Sequence, residues 1–545
     1  MSRRFMQHLV SMQAVAGAVA LALLVPTADA NEAGSTTAGD YQFTDVTPLR
    51  QYNHVAVCSA LANPKARRHC KARQLVDASN KPFRFEPRAG QSGGFTASDL
   101  QKAYNLDVTR TPNATVAVVD AYGYSQAESD LAGYRSANGL PACSVASGCF
   151  TIVNQEGKTS PLPSAPPSND DWTVETALDL DMASAACPNC KILLVQADDD
   201  SGDGLDLGQQ VAATLGASVI SNSWGGADST GSDSTSGEQY FQITPAVNIF
   251  VAAGDDAYDD GATGADYPST SAYAIGVGGT SLTITGGTRS ETAWSDGGSS
   301  CSLSIPKPSY QAAVLPDSVC KFRAASDVSA VADPNTGVNV YNKGSMTVVG
   351  GTSAASPFVA GVYALYGLSK QDVSFAYVHA SAFNDVTTGS NKATGKGGKG
   401  GTTFSCSTGI MCNAGVGWDG PTGVGTPNGT NLAPLAGGGA PPDMAMPIDM
   451  AKPVEVDMAQ QTGTGGNGGG NGNGGGNGSN GGGNGSAGGS GSGGGTGQAG
   501  GSGSSNFGNG CGCTLGGAQT GNGLLALPLG LALLGIAIYR RRRRA

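Results

Sequence analysis

Between residues 96 and about 430, short apolar runs alternate with segments of helical spacing, and this alternation narrows the possible folds more than any other feature. Residues 114–120 form a β-branched run, and 191–196, 217–221 and 248–253 are further short apolar runs, each followed by small or polar residues. Helical patterns stand at 125–137, 174–186 and 205–215. Strands that are apolar on both faces need cover on both faces. The pattern therefore predicts an α/β fold, a parallel sheet with helices on either side.

The flanks of this region bound the domain. Residues 1–30 read as a secretory signal peptide: Arg3 and Arg4 at the start, an apolar stretch over 15–25, and the small-x-small site Ala28-Asp29-Ala30. A retained membrane helix is the competing reading, and the stretch is short for a span of about 20 residues. Residues 31–95 form a short propeptide-like leader with a basic stretch, Lys65 to Arg73, read either as a solvated charged face or as an exposed processing site. Residues 431–510 are linker, first Pro-rich with repeated Asp-Met-Ala, then a Gly/Asn/Ser tract with 27 of the chain's 85 glycines in residues 461–510. Such a tract buries too little surface to offset its ordering entropy and acts as a tether. The segment 511–545 carries Cys511 and Cys513, an apolar stretch at 524–539 and five terminal arginines. It resembles the C-terminal sorting tails of myxobacterial surface proteins, which implies a processing protease as a partner and a secreted or surface-tethered location.

Charge and cysteine use narrow the class further. Lys+Arg total 31 against 42 Asp+Glu, a net charge of −11, which gives no general attraction to phosphate backbones and argues against nucleic acid as a partner. The ten cysteines before residue 511 fall into near pairs, 58/70, 143/149, 187/190, 301/320 and 406/412, as expected for local disulfides in an exported chain. Zinc at Cys187-Pro188-Asn189-Cys190 is the alternative, but the four histidines are scattered and no second CxxC lies nearby.

Three features carry chemistry. In Val251-Ala252-Ala253-Gly254-Asp255, an apolar strand stops at a carboxylate, and reacting groups collect at such strand ends in parallel sheets. Gly350-Gly351-Thr352-Ser353 opens an apolar helical pattern, which sets Ser353 at a helix N-terminus where free N–H groups favour an anion. Glu175 and Asp179, spaced i, i+4, share one face of a helix flanked by Leu178, Leu180 and Met182, so a buried pair needs partners. Taken singly these features are a turn residue, a helix cap and a solvated face. A serine hydrolase needs a base, and no histidine lies in a Gly-rich loop between Asp120 and Ser353, so a carboxylate fills that role better. Glutamate as base and a protonated Asp255 both favour acid conditions.

These residues resemble the sedolisin family of serine-carboxyl peptidases, which have a subtilisin-like fold. The similarity spans about 96–430 and includes Glu175 to Asp179 followed by Cys187-Pro188, then Ser221-Asn222-Ser223-Trp224-Gly225-Gly226, Tyr267-Pro268, Val277-Gly278-Gly279-Thr280 and the Gly-Thr-Ser segment. The resemblance implies a monomeric serine endopeptidase acting on protein or peptide substrates. Ser353 is then nucleophile, Glu175 base, Asp179 its orienting partner, and Asp255 shares the oxyanion hole. It also implies one structural calcium ion, held by Asp385 and Asp419 and by the carbonyl oxygens of Val386, Gly415 and Gly417. Two carboxylates with three carbonyls suit a hard cation. Asp256, directly after Asp255, is expected to raise the pKa of its neighbour, and Asp120 is left as a structural strand-end residue. A catalytically silent, subtilisin-like surface binding protein and a non-peptidase acyl hydrolase are the rival readings.

Overall fold

A computed structural model describes residues 53–58, 67–85, 93–168, 170–228, 230–259, 265–369, 372–392, 406 and 409–436. The chain divides into two units, Met1–Pro447 and Ile448–Ala545, and every described residue belongs to the first. The signal peptide, the Gly-rich tract and the C-terminal segment read from the sequence lie outside the described residues.

An eight-stranded sheet forms the centre. Its strands run in the order Thr288–Ala293, Ala274–Thr285, Asn248–Ala252, Val219–Asn222, Thr115–Ala121, Lys191–Ala197 and Phe150–Asn154, and Val328–Val331 also pairs with Ala274–Thr285. All neighbours are parallel except the antiparallel pair at the Thr288–Ala293 edge. The fold is subtilisin-like: a mostly parallel sheet packed with helices. Valine- and isoleucine-rich strands such as Thr115–Ala121 are buried almost throughout, as a sheet covered on both faces requires.

Two helices matter most for function. Trp172–Ala186 and Thr352–Leu365 are buried over their whole lengths, which fits their small and apolar composition on every face. They pack against each other, and Thr352–Leu365 also rests on the strands Asn248–Ala252, Val219–Asn222 and Val328–Val331, where Tyr363 meets Phe250 edge to face. The two backbones come close because the residues between them are small. A Cβ at Gly361 would lie 2.6 Å from the Ala186 Cβ and 3.2 Å from the Ala183 carbonyl oxygen.

The leader is joined to this domain. Arg73–Val76 pairs antiparallel with Asn53–Ala56 on one side and with the end of Ser345–Gly350 on the other, and His69–Cys70 pairs with Trp224–Asp228. Hence the solvated reading of the basic stretch is wrong for its central residues: Arg68 is 1% and Lys71 7% exposed. The paired cysteines close as five disulfides, 58–70, 143–149, 187–190, 301–320 and 406–412. With Cys187 and Cys190 bonded to each other, the zinc reading fails.

Replacing Gly361 by valine overfills the contact between the two helices, a change that costs about 1–3 kcal/mol in packed cores. We expect Gly361→Val to lower the melting temperature by several degrees, measured on a catalytically silenced background. An unchanged melting curve would show that the helices separate without cost.

Candidate active site

Glu175 and Asp179 stand one turn apart on the buried helix Trp172–Ala186, and neither is exposed. Ser353 is the second residue of the helix Thr352–Leu365 and is likewise buried. Its hydroxyl donates to the Ser223 carbonyl oxygen at 3.2 Å. Neither Glu175 oxygen makes a hydrogen bond of good geometry, yet the Ser353 hydroxyl and the Ala72 backbone N–H both lie near enough to favour its anion. Against them stands burial, the largest influence, which raises the Glu175 carboxyl well above its ordinary value together with the nearby charges of Asp120 and Asp255.

Asp179 is raised well above the usual range by burial, and then by Asp120 and Glu175. It accepts a 2.8 Å bond from the Ser223 hydroxyl, which also lies 3.3 Å from the Ser353 carbonyl oxygen. That carbonyl has lost its regular helical partner, because Pro357 has no N–H to offer four residues on. A hydroxyl has one proton to give. With Asp179 protonated, the carboxyl can donate to Ser223, and Ser223 to Ser353.

Asp255 follows the strand Asn248–Ala252 and accepts from the Thr352 N–H (2.7 Å) and hydroxyl (2.9 Å). Burial pushes its carboxyl up to about 7, opposed by Arg73, whose Nε lies 3.6 Å from Oδ2, and by the Thr352 bonds. Asp256 plays a different part from the one expected. It is half-exposed and pairs with Arg73 Nη2 at 2.9 Å, and burial raises Asp255 instead.

The structure therefore brings Ser353, Glu175, Asp179 and Asp255 into one cluster, and adds a fifth member that sequence reasoning set aside. Asp120, at the end of Thr115–Ala121, is fully buried, is raised to about 7 by burial, and acts on both Glu175 and Asp179. Its position after a β-branched strand was the available signal. None of the groups that chiefly set these four acidities is an imidazole.

Of the five residues read as cation ligands, four are joined in pairs by hydrogen bonds. Asp385 Oδ2 accepts from the Gly417 N–H and Asp419 Oδ2 from the Gly415 N–H, both at 2.9 Å, while Thr422 holds the other Asp419 oxygen. Val386 follows Asp385 in sequence and is buried. Asp419 is raised to about 7, first by burial and also by Asp385. Asp385 and Asp419, from separate segments, thus each accept from an N–H of the glycine-rich stretch 415–417, and their like charges act on each other.

Comparison with known proteins places this geometry. Residues 167–397 match the subtilase family, peptidase S8. The chain is 28% identical to kumamolisin of Bacillus sp. (strain MN-32) over 406 residues, 69% of each protein. It is 29% identical to sedolisin of Pseudomonas sp. (strain 101) over 381 residues, 62% of this chain and 60% of that one. The solved structure of Pseudomonas sedolisin, a serine-carboxyl proteinase complexed with two molecules of pseudo-iodotyrostatin, matches with a TM-score of 0.52 and 26% identity over 64% of this chain and 98% of its own. Fold and relatives together define a subtilisin-like serine-type peptidase. Within that class the relatives it matches include kumamolisin and sedolisin.

Buried acids with raised pKa values make stability depend on pH. Asp120 and Asp255 move from an ordinary value of 3.8 to about 7 on folding, so the folded state holds protons that the unfolded chain releases. Their contribution is fully present below about pH 4 and is lost as pH rises through 7, by up to about 1.4 kcal/mol per pH unit for each group. We expect a Ser353→Ala protein to melt at a higher temperature at pH 4.5 than at pH 7.5, and Asp120→Asn to flatten that slope. A slope of the opposite sign would mean that these carboxyls are charged in the folded protein.

Proposed function

We propose that this serine-carboxyl peptidase is a secreted or surface-tethered endopeptidase with an acid-leaning optimum, and that Ser353, Glu175, Asp179 and Asp255 carry its chemistry. The observation that supports this most is the meeting of side chains from three distant segments near one helix N-terminus, with the serine hydroxyl beside a buried carboxyl and a second carboxyl bonded to Thr352 next to it. Ser353 Oγ attacks the substrate carbonyl while Glu175 takes its proton. Asp179, adjacent on the same helix face, orients Glu175 and shares protons with it. Asp255, neutral below about pH 7, donates to the developing oxyanion alongside the Ser353 N–H. Glu175 then returns the proton to the leaving amine, and water releases the acyl group. The five disulfides among the described residues accord with export. Among those residues no helix is long and apolar enough to cross a membrane, so tethering would rest on the C-terminal segment.

The same reading assigns one structural calcium ion to Asp385 and Asp419, with the carbonyl oxygens of Val386, Gly415 and Gly417. Bound there, the ion would neutralise two carboxylates that repel each other and tie the loop at 415–419 to residue 385.

Ser353→Ala and Glu175→Ala are each expected to abolish peptide cleavage and, for Ser353→Ala, capture of a peptide aldehyde at mildly acidic pH, with near-native circular dichroism. Wild-type turnover by Glu175→Ala removes it from the base role. The alkaline limb of kcat/KM belongs to Asp255 and falls at about pH 7 or above. Asp255→Asn should lower kcat by about 10²–10³-fold and displace that limb; an unmoved limb assigns it to another group. Excess chelator should lower the melting temperature of wild type, since a ligand at 100 times its Kd contributes about 2.7 kcal/mol. Asp419→Asn should erase the calcium response, and a wild type indifferent to chelator ends the calcium assignment.

A further inference from the structure

The turn that carries Asp255 is held by a second buried segment. Gly298 donates its N–H to the Gly254 carbonyl oxygen at 2.7 Å and sits so close that a Cβ on it would fall 2.0 Å from the Ala253 carbonyl oxygen. The other end of the same peptide unit, the Gly297 carbonyl oxygen, accepts from Asn391 Nδ2 at 2.7 Å. Asn391 is fully buried, and its amide also donates to the Ser299 hydroxyl at 2.7 Å, which in turn donates to the Met411 carbonyl oxygen. The Asn391 backbone is anchored too, its N–H to the Cys412 carbonyl oxygen and its carbonyl to the Tyr258 N–H, each at 3.1 Å. Glycine on both sides leaves the peptide between 297 and 298 free to turn over, and the Asn391 amide fixes its direction.

That direction bears on a proton. The Thr352 hydroxyl lies 3.2 Å from the Gly254 carbonyl oxygen and 2.9 Å from Asp255 Oδ1, and it has one proton to give. Gly298 already supplies the Gly254 carbonyl, which leaves the Thr352 proton for Oδ1, the nearer of the two. Oδ1 accepts from the Thr352 N–H as well, at 2.7 Å. With two donors aimed at Oδ1, the proton of a neutral Asp255 belongs on Oδ2. Oδ2 accepts no hydrogen bond among the described residues and faces Gly351, where a Cβ would stand 2.6 Å from it. With the peptide turned over, Gly254 would lose its donor and Thr352 would turn to it. Oδ1 would then be as ready as Oδ2 to hold the proton.

We infer that Asn391 is a positioning residue: through the Gly297–Gly298 peptide it keeps the Asp255 proton on Oδ2, the oxygen beside Gly351 at the start of the helix that carries Ser353. This rests on the role proposed above for Asp255 as oxyanion donor. A donor already aimed when charge develops needs no reorganisation at that moment, and its worth depends on the aim. Asn391 carries no charge and touches neither substrate nor Ser353, so its effect passes wholly through one backbone peptide and the Thr352 hydroxyl.

The test uses the full chain and measures kcat and KM for peptide cleavage across pH, with peptide-aldehyde capture alongside. Asn391→Ala should lower kcat about ten-fold, leave KM within about two-fold and weaken aldehyde capture in proportion to kcat. Losing the Thr352 bond at Oδ1 removes a contact that favours the anion, so the alkaline limb should move to higher pH. Arg73, Lys71 and Glu175, the charged groups that interact with Asp255, are left in place by the substitution. On an Asp255→Asn background the same change should cost little, because both donors of an amide stay on its nitrogen. An unchanged kcat, or a loss as large on that background as on wild type, overturns the inference and leaves the peptidase assignment standing. If Asn391→Ala does not fold, Ser299→Ala, which removes the second acceptor of the Asn391 amide, should lower kcat about three-fold in the same pattern. An unchanged kcat in that variant overturns the inference equally. A wild type that neither cuts peptides nor captures the aldehyde overturns the peptidase assignment and this inference together.

Discussion

Glu175 and Asp179 are buried side by side on one helix, with Asp120 close to both, and no lysine or arginine is among the groups that chiefly act on either. Three anions cannot share so dry a space, so the cluster exists only by holding protons. Everything distinctive about the site follows from that constraint. The carboxyls must be partly neutral in the folded protein, which ties folding, and the proton transfer proposed for the site, to mildly acid pH. A single negative charge moving over the cluster is also what a base beside a serine requires. Glu175, which feels the Ser353 hydroxyl and the Ala72 N–H, is the position where that charge is favoured most directly.

The proton-sharing helix must also stand at a fixed distance from the nucleophile, and the packing provides it. Gly361 against Ala183 and Ala186 lets the two buried helices approach closely, while the proline at 357 withdraws an N–H from the Ser353 carbonyl just where Ser223 can reach it. Ser223 thereby touches both halves of the machinery, Asp179 through its hydroxyl and Ser353 through its carbonyl oxygen. One hydroxyl, that of Ser223, is therefore within reach of both the Asp179 carboxyl and the turn that holds Ser353.

Much of this could be read in the sequence because the strands and helices are locally unambiguous. The run at 114–120 is the strand Thr115–Ala121, and the pattern at 174–186 is the helix Trp172–Ala186, each shifted by one or two residues. The i, i+4 spacing of Glu175 and Asp179, and the glycines before Ser353, are likewise local signals. What was hidden is what depends on long-range pairing. Strands of four and two residues at 73–76 and 69–70 carry almost no pattern of their own, and only their partners at 349–350 and 224–225 show that the leader belongs in the groove. Asp120 was passed over because a strand end reads the same whether it faces water or two other carboxyls. Asp256 misled because adjacency in sequence suggests a charge effect, whereas its side chain turns outward to Arg73.

Arg73 links the occupied groove to the acidity of the site. Its guanidinium sits 3.6 Å from Asp255 and is the largest influence opposing the burial that raises that carboxyl, so while residues 73–76 are in place Asp255 is held nearer to ionisation. An ionised Asp255 is a charge of the wrong sign for the oxyanion role proposed for it. Displacing Arg73, or lowering the pH, moves Asp255 toward its neutral form, the form that the proposed oxyanion role requires. The segment 73–76 thus biases the proton on Asp255, and acid relieves that bias without any movement of the chain.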